Sequence, residues 1–142
     1  MAKLQFFKAG QHDGQEYPFA DEGVRAGFPS PAQDYMENGI DLNHDLVMHP
    51  ESTFMARVAG DSMVDADVHD GDIVVVDKAL EVHNGDMAVC VLNGEFTLKY
   101  VELSPDGAVL RPANDDYPPI TVGEGDNFEV WGVVTYVIHK VH

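Results

Sequence analysis

Met87-Ala-Val-Cys-Val-Leu92 and Glu95-Phe-Thr-Leu-Lys-Tyr-Val-Glu-Leu103 are separated only by Asn93-Gly94. Both flanking runs are rich in β-formers, and an Asn-Gly pair suits a two-residue turn in which both central residues take positive φ. The stretch therefore predicts a type I′ hairpin, whose register sets Lys99 opposite Ala88, well away from the tip. Working outward, Thr53–Val58 and the β-branched run Asp72-Ile-Val-Val-Val-Asp77 read as strands upstream of it, and Ala108–Arg111 and Phe128–Val141 as strands downstream. Gly132 inside the last run marks a bulge or bend. Asp34 to about Leu46 accommodates a short helix with Tyr35, Met36, Ile40 and Leu42 on one face, weakened by Gly39 and closed by His49-Pro50. The expected fold is mainly β: one small, curved, multi-stranded domain with a flexible N-terminal arm.

Residues 1 to about 28 carry that arm. They are rich in Gly, Asp, Gln and Lys, have scattered aromatics (Phe6, Phe7, Tyr17, Phe19) and show no sustained period. The segment ends in Val24-Arg-Ala-Gly-Phe-Pro-Ser-Pro31, where two prolines impose extended backbone and exclude a helix. An extended strip of small residues is the shape in which a peptide bond can be cut.

The chain has 142 residues, enough for one domain with a core. It carries 25 acidic against 8 basic residues, a formal net charge of −17. That balance opposes phosphate backbones and anionic membranes, and no basic patch or recognition helix offsets it. A single cysteine, Cys90, excludes an internal disulfide, fits a reducing compartment and suits a small core position. The first ten residues lack the apolar core of a signal peptide, and no apolar run approaches 18 residues. The expectation is a soluble cytoplasmic protein with no cofactor, no metal and no membrane contact.

Gly60-Asp61-Ser62-Met63 lies between the strand Thr53–Val58 and the acidic, turn-rich Val64–Asp72. A serine at such a turn is expected to expose its hydroxyl and to leave backbone N–H groups free, which is how acyl transfer uses a nucleophile. A Gly-Asp-Ser turn is also, more commonly, only a turn. Lys99 has two readings as well. It is either a lysine on the solvent side of an edge strand, where lysine blocks aggregation, or a base for Ser62. The second requires burial, because an ordinary lysine with a pKa of about 10.4 is protonated at neutral pH. Its own strand face carries Thr97, Val101 and Leu103, which is partly apolar. The seven histidines (12, 44, 49, 69, 83, 139 and 142) show neither metal nor triad spacing.

Four segments together resemble one family: Ala26-Gly27-Phe-Pro-Ser-Pro31 with Asp34-Tyr35; Gly60-Asp-Ser-Met63 with Asp70-Gly-Asp72; Asn93-Gly-Glu-Phe-Thr-Leu-Lys99; and Leu110-Arg-Pro-Ala-Asn114 through Tyr117 to Ile120. In this order they are similar to the UmuD-type, LexA-like self-cleaving serine peptidases. The resemblance covers about Val24 to the C-terminus. It implies a LexA/UmuD C-terminal-domain-like fold, with residues 1–26 as an arm removed by self-cleavage and 27–142 as the peptidase and dimerisation domain. It implies Ser62 as nucleophile, Lys99 as general base and Ala26–Gly27 as the bond cut, with backbone N–H groups at Ser62 and Met63 receiving the oxyanion. It further implies a homodimer, activation by a RecA filament on single-stranded DNA, and service to a UmuC-like translesion polymerase in the SOS response. Twenty-six residues before the cut leave no room for the helical DNA-binding domain of a LexA repressor, so no sequence-specific DNA binding is expected. The competing readings are a non-catalytic dimeric interaction module, in which Ser62 and Lys99 are structural, and a repressor fragment.

Overall fold

The computed structural model describes residues 3–8, 16–20 and 36–142. The strands are β1 (Lys3–Lys8), β2 (Glu16–Ala20), β3 (Met36–Asp41), β4 (Thr53–Ala59), β5 (Ile73–Asp77), β6 (Met87–Leu92), β7 (Glu95–Ser104), β8 (Gly107–Arg111), β9 (Ile120–Val122) and β10 (Phe128–Ile138), with one short helix, α1 (Leu42–Leu46). Eight strands form one sheet in the order β1-β4-β5-β10-β6-β7-β8-β9, and β2 pairs separately with β3. The pairs in both sheets are antiparallel.

The hairpin is the one read from sequence. Asn93 and Gly94 take φ values of 51° and 85°, and Lys99 pairs with Ala88. Asn93 also ties the turn to the β9–β10 connection. Its backbone N–H donates to Asn127 O (2.7 Å), its Nδ2 donates to Asp126 Oδ1 (3.0 Å), and its Oδ1 accepts from Asn127 N–H (2.9 Å). The two faces of the hairpin enter different cores. Val89 and Leu98 pack with Ala56, Val58, Met63, Val68, Val74 and Val76, whereas Ala88, Cys90 and Val101 pack with Ala108, Leu110 and Val122. A strand buried on both faces needs no polar alternation, which accounts for the unbroken apolar run of β6. Cys90 is a fully buried core residue.

β10 joins the two halves of the sheet, with β5 on one side and β6 on the other. It does so through two irregularities, one between Val130 and Gly132 against β6 and one between Val134 and Tyr136 against β5. The first is the bulge expected at Gly132. A Cβ there would sit 2.6 Å from Val76 Cγ1 and 3.3 Å from Asp77 O. Bulges sharpen twist, and here the sheet curls until β1 meets β7, with the Phe6 ring 4.7 Å from Phe96 and 4.8 Å from Trp131. Lys78 Nζ lies 4.7 Å over the Trp131 ring in the same aromatic cluster.

Three segments differ from the sequence reading. Residues 3–8, read as part of a loose arm, form a strand paired with β4 from Lys3↔Ala59 to Lys8↔Phe54. The strand gains its order from a ready-made sheet edge and from the Trp131 cluster, neither of which a local pattern reveals. The expected helix from Asp34 to Leu46 is confined to Leu42–Leu46, with Asp41 Oδ1 accepting from Asn43 N–H (3.0 Å) at its N-cap. Met36 and Ile40 belong instead to β3, whose pairing with β2 shifts register between Tyr17 and Phe19, and Tyr35 lies outside the described residues. β9 is an additional short strand, too brief to carry a period.

The ends of β5 are pinned by buried aspartates. Asp72 accepts from His69 N–H (2.8 Å) and pairs with His139 Nδ1 (2.6 Å), while Asp77 pairs with His49 Nδ1 (2.6 Å) and accepts from Ser52 Oγ (3.0 Å). Burial alone would raise both carboxyls. The hydrogen bonds and nearby histidines outweigh it, and both are held below the ordinary carboxylate value. Gly132→Ala is expected to lower stability by about 1–3 kcal/mol in denaturant unfolding, the usual scale of overpacking. Val76→Ala in the same chain should recover part of that loss. Two strictly additive losses would show that the close approach to Val76 is not the constraint.

Candidate active site

Ser62 lies in the connection between β4 and β5. Gly60 takes φ 100° and turns the chain out of β4, with its N–H donating to Asp70 Oδ1 (2.9 Å). The loop closes where Gly71 N–H donates to Val58 O (2.7 Å) and Val58 N–H to Asp72 O (2.8 Å). Between these points Val64–Ala66 form a single 3-10 turn, ended by Asp67 in the left-handed region at φ 58°. The acidic segment is thus a compact loop whose polar groups are largely engaged locally. It projects Ser62 and Met63 inward, and Met63 joins the core with Val68.

The sequence reading expected an exposed Ser62 hydroxyl. Ser62 is instead fully buried, at 0 % exposure. The reason is that the segment after β8 packs against this loop. Ala113 N–H donates to Ser62 O (2.9 Å), Asp65 N–H to Ala113 O (2.7 Å), and Asn114 Nδ2 to Asp61 O (2.9 Å). Tyr117 OH completes the contact with a 2.7 Å bond to Asp61 Oδ1. Among the described residues, neither the Ser62 nor the Met63 backbone N–H donates to another backbone carbonyl.

Lys99 comes from the other half of the sheet. It is 2 % exposed, and β7 lies between β6 and β8 rather than at an edge, so the reading of an aggregation-blocking surface lysine is excluded. Ala88 opposite it leaves space for the four-carbon stem. Its Nζ meets three oxygens: Thr97 Oγ1 at 2.9 Å, Leu98 O at 3.1 Å and Ser62 Oγ at 3.3 Å. The distinction among the three decides the chemistry. Leu98 O only accepts, so it always takes an N–H, whereas either hydroxyl can accept or donate. An ammonium donates to all three. A neutral amine can donate to Leu98 O and Thr97 Oγ1 and still present its lone pair to the Ser62 O–H.

Burial disfavours the ammonium and holds Lys99 below the usual lysine value. A Cys90 thiolate would oppose this, but burial pushes the Cys90 thiol up to about 12, so it is neutral where the amine titrates. Desolvation therefore acts on Lys99 unopposed. Among the described residues, no comparable arrangement surrounds a histidine. His49 and His139 serve Asp77 and Asp72 at the ends of β5, and His69 stacks on His139 with ring centroids 5.3 Å apart. Among the described residues no cluster of three or more His, Cys, Asp or Glu side chains converges as a metal site, and no helix is long and apolar enough to cross a membrane.

Of the site residues read from sequence, the structure brings Ser62, Met63 and Lys99 together; Ala26 and Gly27 lie outside the described residues. Three further residues escaped the sequence reading as parts of the site. Thr97 is signalled only by its place two residues from Lys99 on the same strand face. Asn114 and Tyr117 stood out as part of a motif but gave no hint of their contact with Asp61. The groove of about 550 Å³ along β5 and β10, lined by Leu46, Met48, Asp77 and Tyr136 among others, does not include Ser62 or Lys99.

The chain is a curled antiparallel sheet with a serine buried against a lysine, and comparison with known families gives the class of protein to which it belongs. The family model described as "Peptidase S24-like" matches residues 18–135, and the chain belongs to that family. It is similar to MucA of Salmonella typhimurium (39 % identical over 132 residues, 92 % of this chain and 90 % of that one) and to SamA of the same species (44 % over 123 residues, 87 % and 85 %). Its UmuD-type character is consistent with its relation to the LexA repressor of Thermobifida fusca, which is 38 % identical over 119 residues but only 45 % covered.

The buried amine makes a prediction about stability. In the unfolded chain Lys99 titrates near the ordinary value of about 10.4, while the folded chain releases the proton at lower pH. Between the two values the unfolded state binds more protons, so stability from this group rises with pH and is least below the folded value. Lys99→Met should therefore melt higher than the parent at pH 7, by on the order of 1 kcal/mol or more. The difference should shrink towards pH 10. A constant difference, or none, across pH 7–10 would count against the buried, proton-shedding amine.

Proposed function

We propose that the chain is a self-cleaving serine peptidase that cuts its own Ala26–Gly27 bond, with Ser62 as nucleophile and Lys99 as general base. The observation that carries this reading is the buried Lys99 Nζ, 3.3 Å from Ser62 Oγ, with its other two polar neighbours disposed to leave the lone pair for the serine. Membership of the Peptidase S24-like family supports the same chemistry.

On this reading the steps are as follows. Neutral Lys99 takes the Ser62 hydroxyl proton as Oγ bonds to the Ala26 carbonyl carbon. The oxyanion is received by the Ser62 and Met63 N–H groups. The Lys99 ammonium then gives its proton to the Gly27 nitrogen as the C–N bond breaks. Water attacks the Ala26 ester as Lys99 takes its proton, and Lys99 passes that proton to Ser62 Oγ as the ester C–O bond breaks, which restores Ser62 and frees the Ala26 carboxylate. Bond and nucleophile are 35 residues apart (62 − 27) on one chain, so the substrate is presented intramolecularly, at an effective concentration in the ~mM range. Residues 1–26 hold three basic and four acidic groups, so the 116-residue product (142 − 26) keeps a net charge of about −16 (−17 + 1) and changes in surface rather than in charge.

In the cell, this reaction belongs to the SOS response, a reading supported by the similarity to UmuD-type proteins. A RecA filament on single-stranded DNA promotes the cut, and the shortened homodimer serves a UmuC-like translesion polymerase. A repressor role is disfavoured by the net charge of −17 and by the absence of a helix-turn-helix among the described residues.

Incubation at rising pH, followed by mass spectrometry, should yield a fragment beginning at Gly27. Its rate should climb about tenfold per pH unit until Lys99 is neutral and then level off. Ser62→Ala and Lys99→Ala should each lower that rate by at least about 100-fold. Cleavage at the parental rate in the Lys99→Ala chain would remove the general-base assignment.

A further inference from the structure

The segment between β8 and β9 carries polar groups aimed at the main chain just before Ser62, and the cleavage chemistry makes no use of them. Asn114 Nδ2 donates to Asp61 O at 2.9 Å, and Tyr117 OH donates to Asp61 Oδ1 at 2.7 Å. The segment is itself closed upon Asn114, which accepts from Asp116 N–H on Oδ1 (2.9 Å) and from Tyr117 N–H on its carbonyl (3.1 Å). Ala113 contributes the bonds on either side, donating to Ser62 O (2.9 Å) and accepting from Asp65 N–H (2.7 Å). Asp61 is thus held by both its carbonyl and its carboxylate, and Ser62 by its carbonyl.

The position matters because of which peptide is held. The Asp61 carbonyl belongs to the Asp61–Ser62 peptide, whose N–H is the Ser62 donor. A bond from Asn114 to that carbonyl sets the plane of the peptide and hence the direction of the Ser62 N–H. Together with the Ala113 bond to Ser62 O, it holds the peptides on both sides of the Ser62 Cα, and with them the direction of Cβ towards Lys99, 3.3 Å from Oγ. Gly60, at φ 100°, gives the preceding residue no side chain with which to restrain the turn, so the restraint is imposed from across the sheet.

Resting on the peptidase reading above, we propose that Asn114 and Tyr117 are positioning residues for the cleavage reaction, which clamp the Asp61–Ser62 peptide so that the nucleophile and its oxyanion donor share one fixed geometry. They touch neither the reacting bond nor Lys99 and act through Asp61. The clamp also outlasts the alkaline conditions that activate the lysine. The hydrogen bond to Asp61, with the charges of Asp61 and Asp116, raises the Tyr117 phenol above its ordinary value, so the donor remains protonated where Lys99 has become neutral.

The test uses the full chain, two single variants and a reference pair: Tyr117→Phe, which deletes only the phenol hydroxyl; Asn114→Asp, which keeps the acceptor for Asp116 N–H but removes the donor to Asp61 O; and Asp61→Ala with and without Tyr117→Phe. Each single variant is expected to lower the plateau cleavage rate about tenfold while leaving the pH midpoint, which belongs to Lys99, and the melting temperature in place. Adding Asp61→Ala to Tyr117→Phe should cost no more than Asp61→Ala alone, since both act through one bond. Amide exchange at Ser62 and Met63 should rise in both single variants and stay unchanged in β6 and β7. Parental cleavage rates in both single variants, or unchanged exchange at Ser62 and Met63, overturn the clamp alone. A rate loss that disappears when variants and parent are compared at equal distance below their melting temperatures reduces it to stability, and also overturns it. Failure of the parent chain to release a fragment beginning at Gly27 at any pH overturns the peptidase reading, and the clamp with it.

Discussion

The contact between the Lys99 amine and Ser62 is one that this fold sustains only because it excludes water from it. At 2 % exposure the lysine loses the hydration that would keep it an ammonium, and three oxygens at 2.9–3.3 Å replace it in part. That replacement is enough to keep the group inside the protein, yet it falls short of restoring an ordinary pKa. The site depends on this shortfall. A carboxylate partner in place of Thr97 would have held the proton on the nitrogen and left no base. Two hydroxyls and a carbonyl satisfy the amine in either protonation state without committing it to one.

The rest of the sheet exists, in functional terms, to bring that pair together from distant parts of the chain. Ser62 belongs to the half containing β4 and β5, Lys99 to the half containing β6 and β7, and the chain connects the halves late, through β10. Any slip of β10 by one residue would exchange its faces and shift one half against the other. The irregularities at Gly132 and near Thr135 work against such slippage, since a bulge fits only one register. The charged pairs at the ends of β5 act in the same sense. Asp72 bonds to His139 just beyond β10, and Asp77 to His49 just before β4, so each end of the strand is tied to a different neighbour.

What was legible in the sequence and what was not divides along physical lines. The hairpin was legible because Asn-Gly specifies its turn by backbone sterics alone, and once the turn is set the pairing of Lys99 with Ala88 follows by counting. The bulge at Gly132 was legible for a similar reason. The burial of Ser62 was not, because the groups that cover it, Ala113 to Tyr117, are about 50 residues away and meet it only through tertiary folding. The strand Lys3–Lys8 was hidden for the same cause: it borrows its partners from β4 and the Trp131 cluster. The helix expected from Asp34 failed differently. Tyr35, Met36, Ile40 and Leu42 do fit a helical face, but a four-residue match around a glycine is weak, and pairing with β2 outweighed it.

On the proposed reading, burial of the Ser62–Lys99 pair also bears on why the site acts on one bond and spares others. A lysine that sheds its proton because it is dehydrated takes the proton up again when the site opens freely to water, so access and activity are in opposition. A diffusing peptide would have to displace the packing over Ser62 using only its own binding energy. A tethered segment arrives at an effective concentration set by the chain, and at ~mM it can occupy a site for which it has little intrinsic affinity. Small residues such as Ala26 and Gly27 disturb that packing least. On the proposed reading, selectivity then needs no deep specificity pocket, and the groove along β5 and β10, remote from Ser62, has no part in it. On the same reading, an activator would need only to raise the fraction of time in which the arm replaces the packing over Ser62, since burial already lowers the hold of Lys99 on its proton.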